Sequence, residues 1–189
     1  MTKGDLTKAR ILSCASQLFT EKGFTAVTMK DICEATGLSR GGLYRYFGST
    51  SEMMLCLMEK EQENADIQAS ESRRQGSGPL EMLEDFLNAH RRYMMSPAGR
   101  LELAMNQFAI TSEEGRSANS RRLDTAVKRL RALIEAGQAQ GVFREGDSEV
   151  MALHVMLMLG ALREQTAISG YREELVSSLL KSVKIYILK

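Results

Sequence analysis

The chain has 189 residues, 43% hydrophobic and 26% charged, with a formal net charge of +1, which is the make-up of a soluble globular protein of one large domain or two small ones. Only 2 prolines occur among many Ala, Leu, Met, Glu and Arg residues, so an all-α fold is expected and collagen-like or low-complexity chains are excluded. The longest nearly continuous apolar run, Val150–Leu162, is too short for a membrane span and is broken by His154. No basic-then-apolar leader opens the sequence, and Cys14, Cys33 and Cys56 have no paired spacing, so a cytoplasmic protein without a disulfide framework is expected.

Helical periodicity and capping residues predict about nine helices and no strand. The first spans roughly Leu6 to Lys22, with Ile11, Leu12, Ala15, Leu18 and Phe19 on one face and Gly23 at its C-terminal cap. Thr28 opens a short helix with a capping box, Asp31 standing in the usual glutamate place, and that helix ends at Thr36-Gly37. Ser39 caps a third helix, Arg40–Tyr46, and Phe47-Gly48 breaks it. A second capping box, Ser49 to Glu52, starts a long helix to about Ser72, and the polar stretch Arg73–Gly78 reads as a loop.

Pro79 suits the first turn of the next helix, whose stripe is Leu83, Leu87, His90 and Met94. Ser96-Pro97 gives the same start signal before Leu101, Ala104, Met105 and Phe108, and the polar segment Thr111–Ser120 has no clear assignment. Leu123, Val127, Leu130 and Ile134 mark a helix ending near Gly141. Asp147 or Ser148 caps an apolar helix through Thr166, and Tyr171–Leu188 closes the chain with Leu175, Leu179, Val183 and Tyr186 inward.

The first 50 residues hold 7 Lys/Arg against 4 Asp/Glu, a surplus of +3 on a body of −2, which hints at an anionic partner for the head. The second and third helices, joined by Gly37-Leu38-Ser39, have the layout of a helix-turn-helix, in which the second helix enters the DNA major groove. Gly37 tolerates a left-handed backbone, and Ile32, Leu38 and Leu43 can pack the pair. Gly41 and Gly42 cost this short helix about 1 kcal/mol each relative to alanine, a cost that close approach to DNA would offset. Arg40 suits a two-toothed hydrogen bond to a guanine edge, while Tyr44 and Arg45 can reach phosphates or a thymine methyl. Phe47, and partly Tyr46, read as core.

Ile11, Ala15, Leu18-Phe19, Gly23-Phe24, Thr28, Asp31-Ile32, Gly37-Leu38-Ser39, Gly41, Leu43-Tyr44-Arg45-Tyr46-Phe47 and Ser49 together resemble the N-terminal domain of the TetR (tetracycline-repressor) family of bacterial regulators. The resemblance covers about the first 55 residues. It implies a homodimer that binds a palindromic double-stranded DNA operator and releases it when a small molecule enters the C-terminal domain. It places DNA contacts at Thr28, Lys30, Ser39, Arg40, Gly42, Tyr44 and Arg45. Two positions depart from the family pattern: Thr50 stands where a lysine usually meets a phosphate, and Gly42 where Thr or Ser is common. The first should remove roughly one phosphate contact, and the second leaves more of the specificity to Arg40. The expected division is a DNA-binding domain at 1–48, with its recognition helix at about 40–46, and an effector-binding and dimerisation domain at 49–189.

In the body, two strongly apolar helices at the C-terminus suggest a four-helix interface with a symmetry mate. A dimer is also what a short reading helix requires, because two of them read two half-sites about 34–36 Å apart. The chain's 12 methionines mostly read as core fillers, but a few of them could line an adaptable pocket. The expected effector site is Met58, Phe86, Leu87, His90, Met94, Phe108, Ile134 and Met158, with His90 the first polar candidate and Asn106, Gln107 and Tyr93 further ones. The basic run Arg116–Arg131 reads as a solvated face.

No metal site or cofactor is expected: neither histidine has a Glu three residues before it, and no cysteine pair is close in sequence. Cys14 and Cys33 read as core, and Cys56 is the one candidate redox switch. No nucleophile–base constellation or Gly-rich phosphate loop points to an enzyme. The expected function is a ligand-responsive DNA-binding repressor. The alternative is a constitutive or Cys56 redox-responsive regulator without a small-molecule effector.

Overall fold

The computed structural model describes the backbone of residues 2–74 and 76–189. Among these residues it is all-α: α1 Lys3–Lys22, α2 Met29–Thr36, α3 Arg40–Tyr44, α4 Thr50–Arg74, α5 Pro79–Met94, α6 Leu101–Thr111, α7 Glu113–Ala139, α8 Ser148–Ser169 and α9 Glu173–Ile187. A 3-10 turn at Pro97–Arg100 leads into α6, and the one β-type pairing among the described residues is an isolated bridge between Phe143 and Leu188.

The helix ends obey the capping chemistry. Thr28 and Asp31 cap α2 reciprocally, and Gly37 ends it in the left-handed region at φ 68°. Asp147 Oδ1 accepts the N–H groups of Glu149 and Val150 to cap α8, and Gly170 closes that helix. Pro79 takes the first turn of α5, where its missing N–H costs nothing.

Several helix bounds differ from expectation. Helix α1 starts at Lys3 rather than Leu6, because Thr2 and Asp5 form a further capping box ahead of the apolar stripe. Helix α3 stops at Tyr44 rather than Tyr46, where the N–H groups of Tyr46 and Phe47 both turn back to the Leu43 carbonyl. At the start of α4, Ser49 Oγ accepts the Glu52 N–H at 3.1 Å, but the Glu52 carboxylate takes the N–H of Gly48 at 2.6 Å instead of Ser49. The polar segment after Thr111, which the sequence leaves unassigned, is helical from Glu113 onward as the first part of α7. Helix α4 continues to Arg74, two residues beyond the expected end.

The chain forms two compact units. The first takes in the chain up to Glu63 and the later segment Arg100–Asn119. Its core joins Ile11, Leu12, Ala15 and Phe19 of α1 to Ile32, Leu43 and Phe47, to Met53, Met54, Leu57 and Met58 of α4, and to Leu101, Ala104, Met105 and Phe108 of α6. At the α6–α7 junction the backbone closes tightly. Gly115 stands where a Cβ would overlap the Phe108 carbonyl.

The second unit contains Asn64–Gly99 and Ser120–Lys189. Leu83, Leu87 and Met94 of α5, Leu130, Leu133 and Ile134 of α7, Val155, Met156 and Leu159 of α8, and Val176, Leu180, Val183 and Ile187 of α9 form its core with Phe143. The inward face of α9 therefore differs from expectation: Leu175 and Leu179 are 45% and 39% exposed, while Val176 and Leu180 are buried. Ion pairs from Arg91 to Glu173 and from Glu84 to Lys184 lie between α5 and α9. The Arg144 N–H donates to the Ile187 carbonyl at 3.0 Å, tying the chain end to the α7–α8 loop.

Candidate nucleic-acid interface

The first unit presents a reading helix on a packed base. Helix α3 carries Leu43 inward, fully buried, while Arg40, Gly41, Tyr44 and Arg45 are exposed. Ser39 Oγ accepts the Gly42 N–H at 3.2 Å, so Ser39 caps the helix as its residue type dictates. Beyond its chain neighbours and the helix's own backbone, no atom of the described residues lies within 4 Å of a Cβ built on Gly41, whereas one on Gly42 would meet Ser39 Oγ at 3.3 Å. Among the described residues no neighbour requires glycine at position 41.

Lys30 and Thr28 are exposed on α2 and its cap, and Lys30 pairs only loosely with Glu34, at 3.8 Å. The Asp31 carboxyl is held well below the usual carboxylate range. The Thr28 hydroxyl bonds its carboxylate, Lys22 contacts it at 3.0 Å, and the Thr28 N–H donates to it at 2.9 Å. Phe47 is buried, and Lys8 of α1 sits 5.4 Å from the centre of its ring.

The corner between α1 and α2 contains a contact that periodicity could not show. Gly23 ends α1 at φ 78°, and the next N–H, that of Phe24, donates to Gln107 Oε1 of α6 at 2.8 Å. The sequence offers Gln107 as a further polar residue of an effector site. Its side chain holds this corner from 83 residues away.

The residues expected to bind an effector are split between the units. Met58 and Phe108 are buried in the core of the first. Phe86, Leu87, His90, Met94, Ile134 and Met158 belong to the second, where Leu87, Met94 and Ile134 are buried and Phe86, His90 and Met158 are half-buried. The Phe86 and His90 rings lie 4.3 Å apart, and His90 Nδ1 donates to the Phe86 carbonyl at 2.9 Å, which fixes the proton on that nitrogen. Cys14, Cys33 and Cys56 are all half-buried, and the Cys14 thiol faces the Ala35 carbonyl at 3.8 Å. Among the described residues no group of His, Cys, Asp and Glu side chains could hold a metal ion, and no helix is long and apolar enough to cross a membrane.

A capped helix pair around a left-handed glycine, with Arg40 exposed on its second member and Arg45 exposed just past that helix's end, defines a helix-turn-helix DNA-binding protein. Residues 11–56 match the family model for bacterial regulatory proteins of the tetR family, and residues 76–164 match that for a tetracyclin repressor-like C-terminal domain. The chain belongs to the TetR family and is a DNA-binding transcriptional regulator. Family members are regulators rather than enzymes, and they bind operator DNA as dimers.

The chain is 28% identical over 187 residues to the HTH-type transcriptional regulator YfiR of Bacillus subtilis, covering 97% of this chain and 91% of that one. It is 27% identical over 162 residues to the HTH-type transcriptional repressor NicS of Pseudomonas putida, covering 85% and 75%. The fold is similar to that of a TetR-family regulator from Agrobacterium tumefaciens, with a TM-score of 0.86 at 17% identity over 99% and 100% of the two chains. It is also similar to a regulator from Saccharomonospora viridis solved in complex with choline, with a TM-score of 0.81 at 20% identity over 98% and 99%.

Proposed function

We propose that this protein is a ligand-responsive repressor of the bacterial cytoplasm, which holds a palindromic operator as a homodimer and lets it go when a small molecule binds its second unit. The observation that carries the DNA half of this reading is the exposed Arg40–Arg45 face, mounted on a capped helix over the buried Leu43. Arg40 reads a guanine edge. Thr28, Lys30, Ser39, Gly42, Tyr44 and Arg45 contact phosphates or base methyls around it. The name of the relative NicS supports repression as the sign of action.

The dimer reading rests on the free faces of α8 and α9. Val150, Leu157 and Ile168 are 61%, 55% and 59% exposed in the isolated chain, and Leu153, Leu175 and Leu179 join them. Apolar side chains of this size, recurring along two adjacent helices, call for a partner surface, and a symmetry mate offers the same one. The effector reading rests on Phe86, Leu87, His90, Met94, Ile134 and Met158 in the second unit, an apolar and adaptable set with one polar ring. The neighbour from Saccharomonospora viridis, bound to choline, supports a small-molecule role for this fold.

The test is selection of duplexes from a random pool with the purified dimer, and then footprinting. A palindromic sequence with half-sites about one helical turn apart supports the reading. Binding that stays equal across all sequences at every salt concentration overturns it.

A further inference from the structure

We infer that Gln107 is a positioning residue for DNA binding: its amide oxygen holds the Phe24 N–H and so sets the start of the helix-turn-helix. The corner it grips is where α1 ends. The Gly23 N–H is satisfied within α1, donating to the Phe19 carbonyl at 2.9 Å, whereas the Phe24 N–H finds its acceptor on α6. Gln107 Oε1 receives it at 2.8 Å. The amide orientation is set by the partner, since an N–H can only be met by the oxygen. The fit is close. A Cβ on Gly23 would stand 2.6 Å from the same Oε1, so the glycine leaves room for the glutamine.

The peptide held in this way directs the chain into α2. The Phe24 carbonyl accepts the Val27 N–H at 3.3 Å, and Thr28 then caps that helix. The Phe24 ring is seated 4.6 Å from Phe108, the residue next to Gln107, and 5.7 Å from Phe19 of α1. Backbone and ring of one residue are thus fixed by adjacent positions of α6, just before the two helices that read DNA. Gln107 itself is exposed, so it adds little to the core, and its hydrogen bond acts on geometry.

The inference rests on the operator-reading role proposed above, and its test separates the two. A duplex selected from a random pool by the wild-type protein is titrated with wild type, Gln107→Met and Gln107→Glu. Wild-type binding to that duplex reports the operator role alone. The methionine keeps length and loses the acceptor, so about tenfold weaker specific binding is expected, with the salt slope unchanged. The glutamate keeps an acceptor for the Phe24 N–H and should bind within about twofold of wild type. If Gln107 touched DNA directly, glutamate would meet phosphate repulsion and bind worse than methionine. That result, or wild-type affinity in Gln107→Met, overturns the proposal. Independently of any variant's folding, the Phe24 amide of the wild-type protein should exchange slowly with solvent, and fast exchange also overturns it.

Discussion

Thr28 and Asp31 cap α2 by exchanging hydrogen bonds: the Thr28 N–H donates to the Asp31 carboxylate at 2.9 Å, and Thr28 Oγ1 accepts the Asp31 N–H at 3.3 Å. The pair stands at the head of the first helix of the DNA-reading motif. The Lys22 ammonium on the same carboxylate ties it to the end of α1.

This arrangement predicts an acid-sensitive head. The Thr28 hydroxyl, then Lys22, then the Thr28 N–H hold Asp31 below its ordinary value of 3.8 in the folded protein. The folded carboxylate therefore binds its proton less readily than the unfolded one. Its contribution is fully present above the unfolded value and is lost as the pH falls through that value toward the lower folded one. Thermal melts of wild type and Asp31→Asn should converge as the pH drops below 3.8, and differ above it. Thr28→Ala should cost about 1 kcal/mol at neutral pH.

Gly41→Ala should move stability and binding in opposite directions. No packed neighbour among the described residues obstructs a Cβ there, so alanine should stabilise α3 by up to about 1 kcal/mol. The added methyl stands on the exposed face between Arg40 and Gly42, so affinity for a selected duplex should fall. Denaturant melts and titrations of one preparation check both signs.

Arg40→Ala should weaken binding to the best duplex by roughly 1–3 kcal/mol and relax preference at one base position per half-site. Arg45→Ala should weaken binding across all sequences and lower the salt slope by about one contact. Repeating the selection with each variant distinguishes reader from anchor.

Leu157→Lys tests the dimer surface. Leu157 is 55% exposed on α8, so the change should leave the single chain folded. It should shift the sedimenting mass toward the 21.0 kDa of one chain and cost most of the operator affinity. An unchanged dimer would place the interface elsewhere.

Gly137→Ala tests packing in the second unit. A Cβ at Gly137 would overlap the ring of Phe143, which is buried, so the gain in helix propensity is outweighed by overpacking of about 1–3 kcal/mol. Gly137→Ala with Phe143→Leu should recover part of the loss, measured by denaturant melts.

The local chemistry of the reading head was legible in the sequence. Thr28, Gly37 and Ser39 act through neighbours within a few residues, so spacing alone placed the caps, the left-handed turn and the exposed arginines. Helix class was legible for the same reason, since apolar periodicity and caps are properties of one segment. The face of α9 was not. Leu175-Val176 and Leu179-Leu180 offer two apolar stripes side by side, and packing in the second unit's core chose Val176 and Leu180 for burial. Helix α6 was not either. Its periodicity predicts burial, but only the fold places Leu101, Met105 and Phe108 in the core of the DNA-reading unit and sets Gln107 against Phe24. A hydrogen bond between residues 83 apart leaves no periodic trace, because its geometry exists only once both helices are packed.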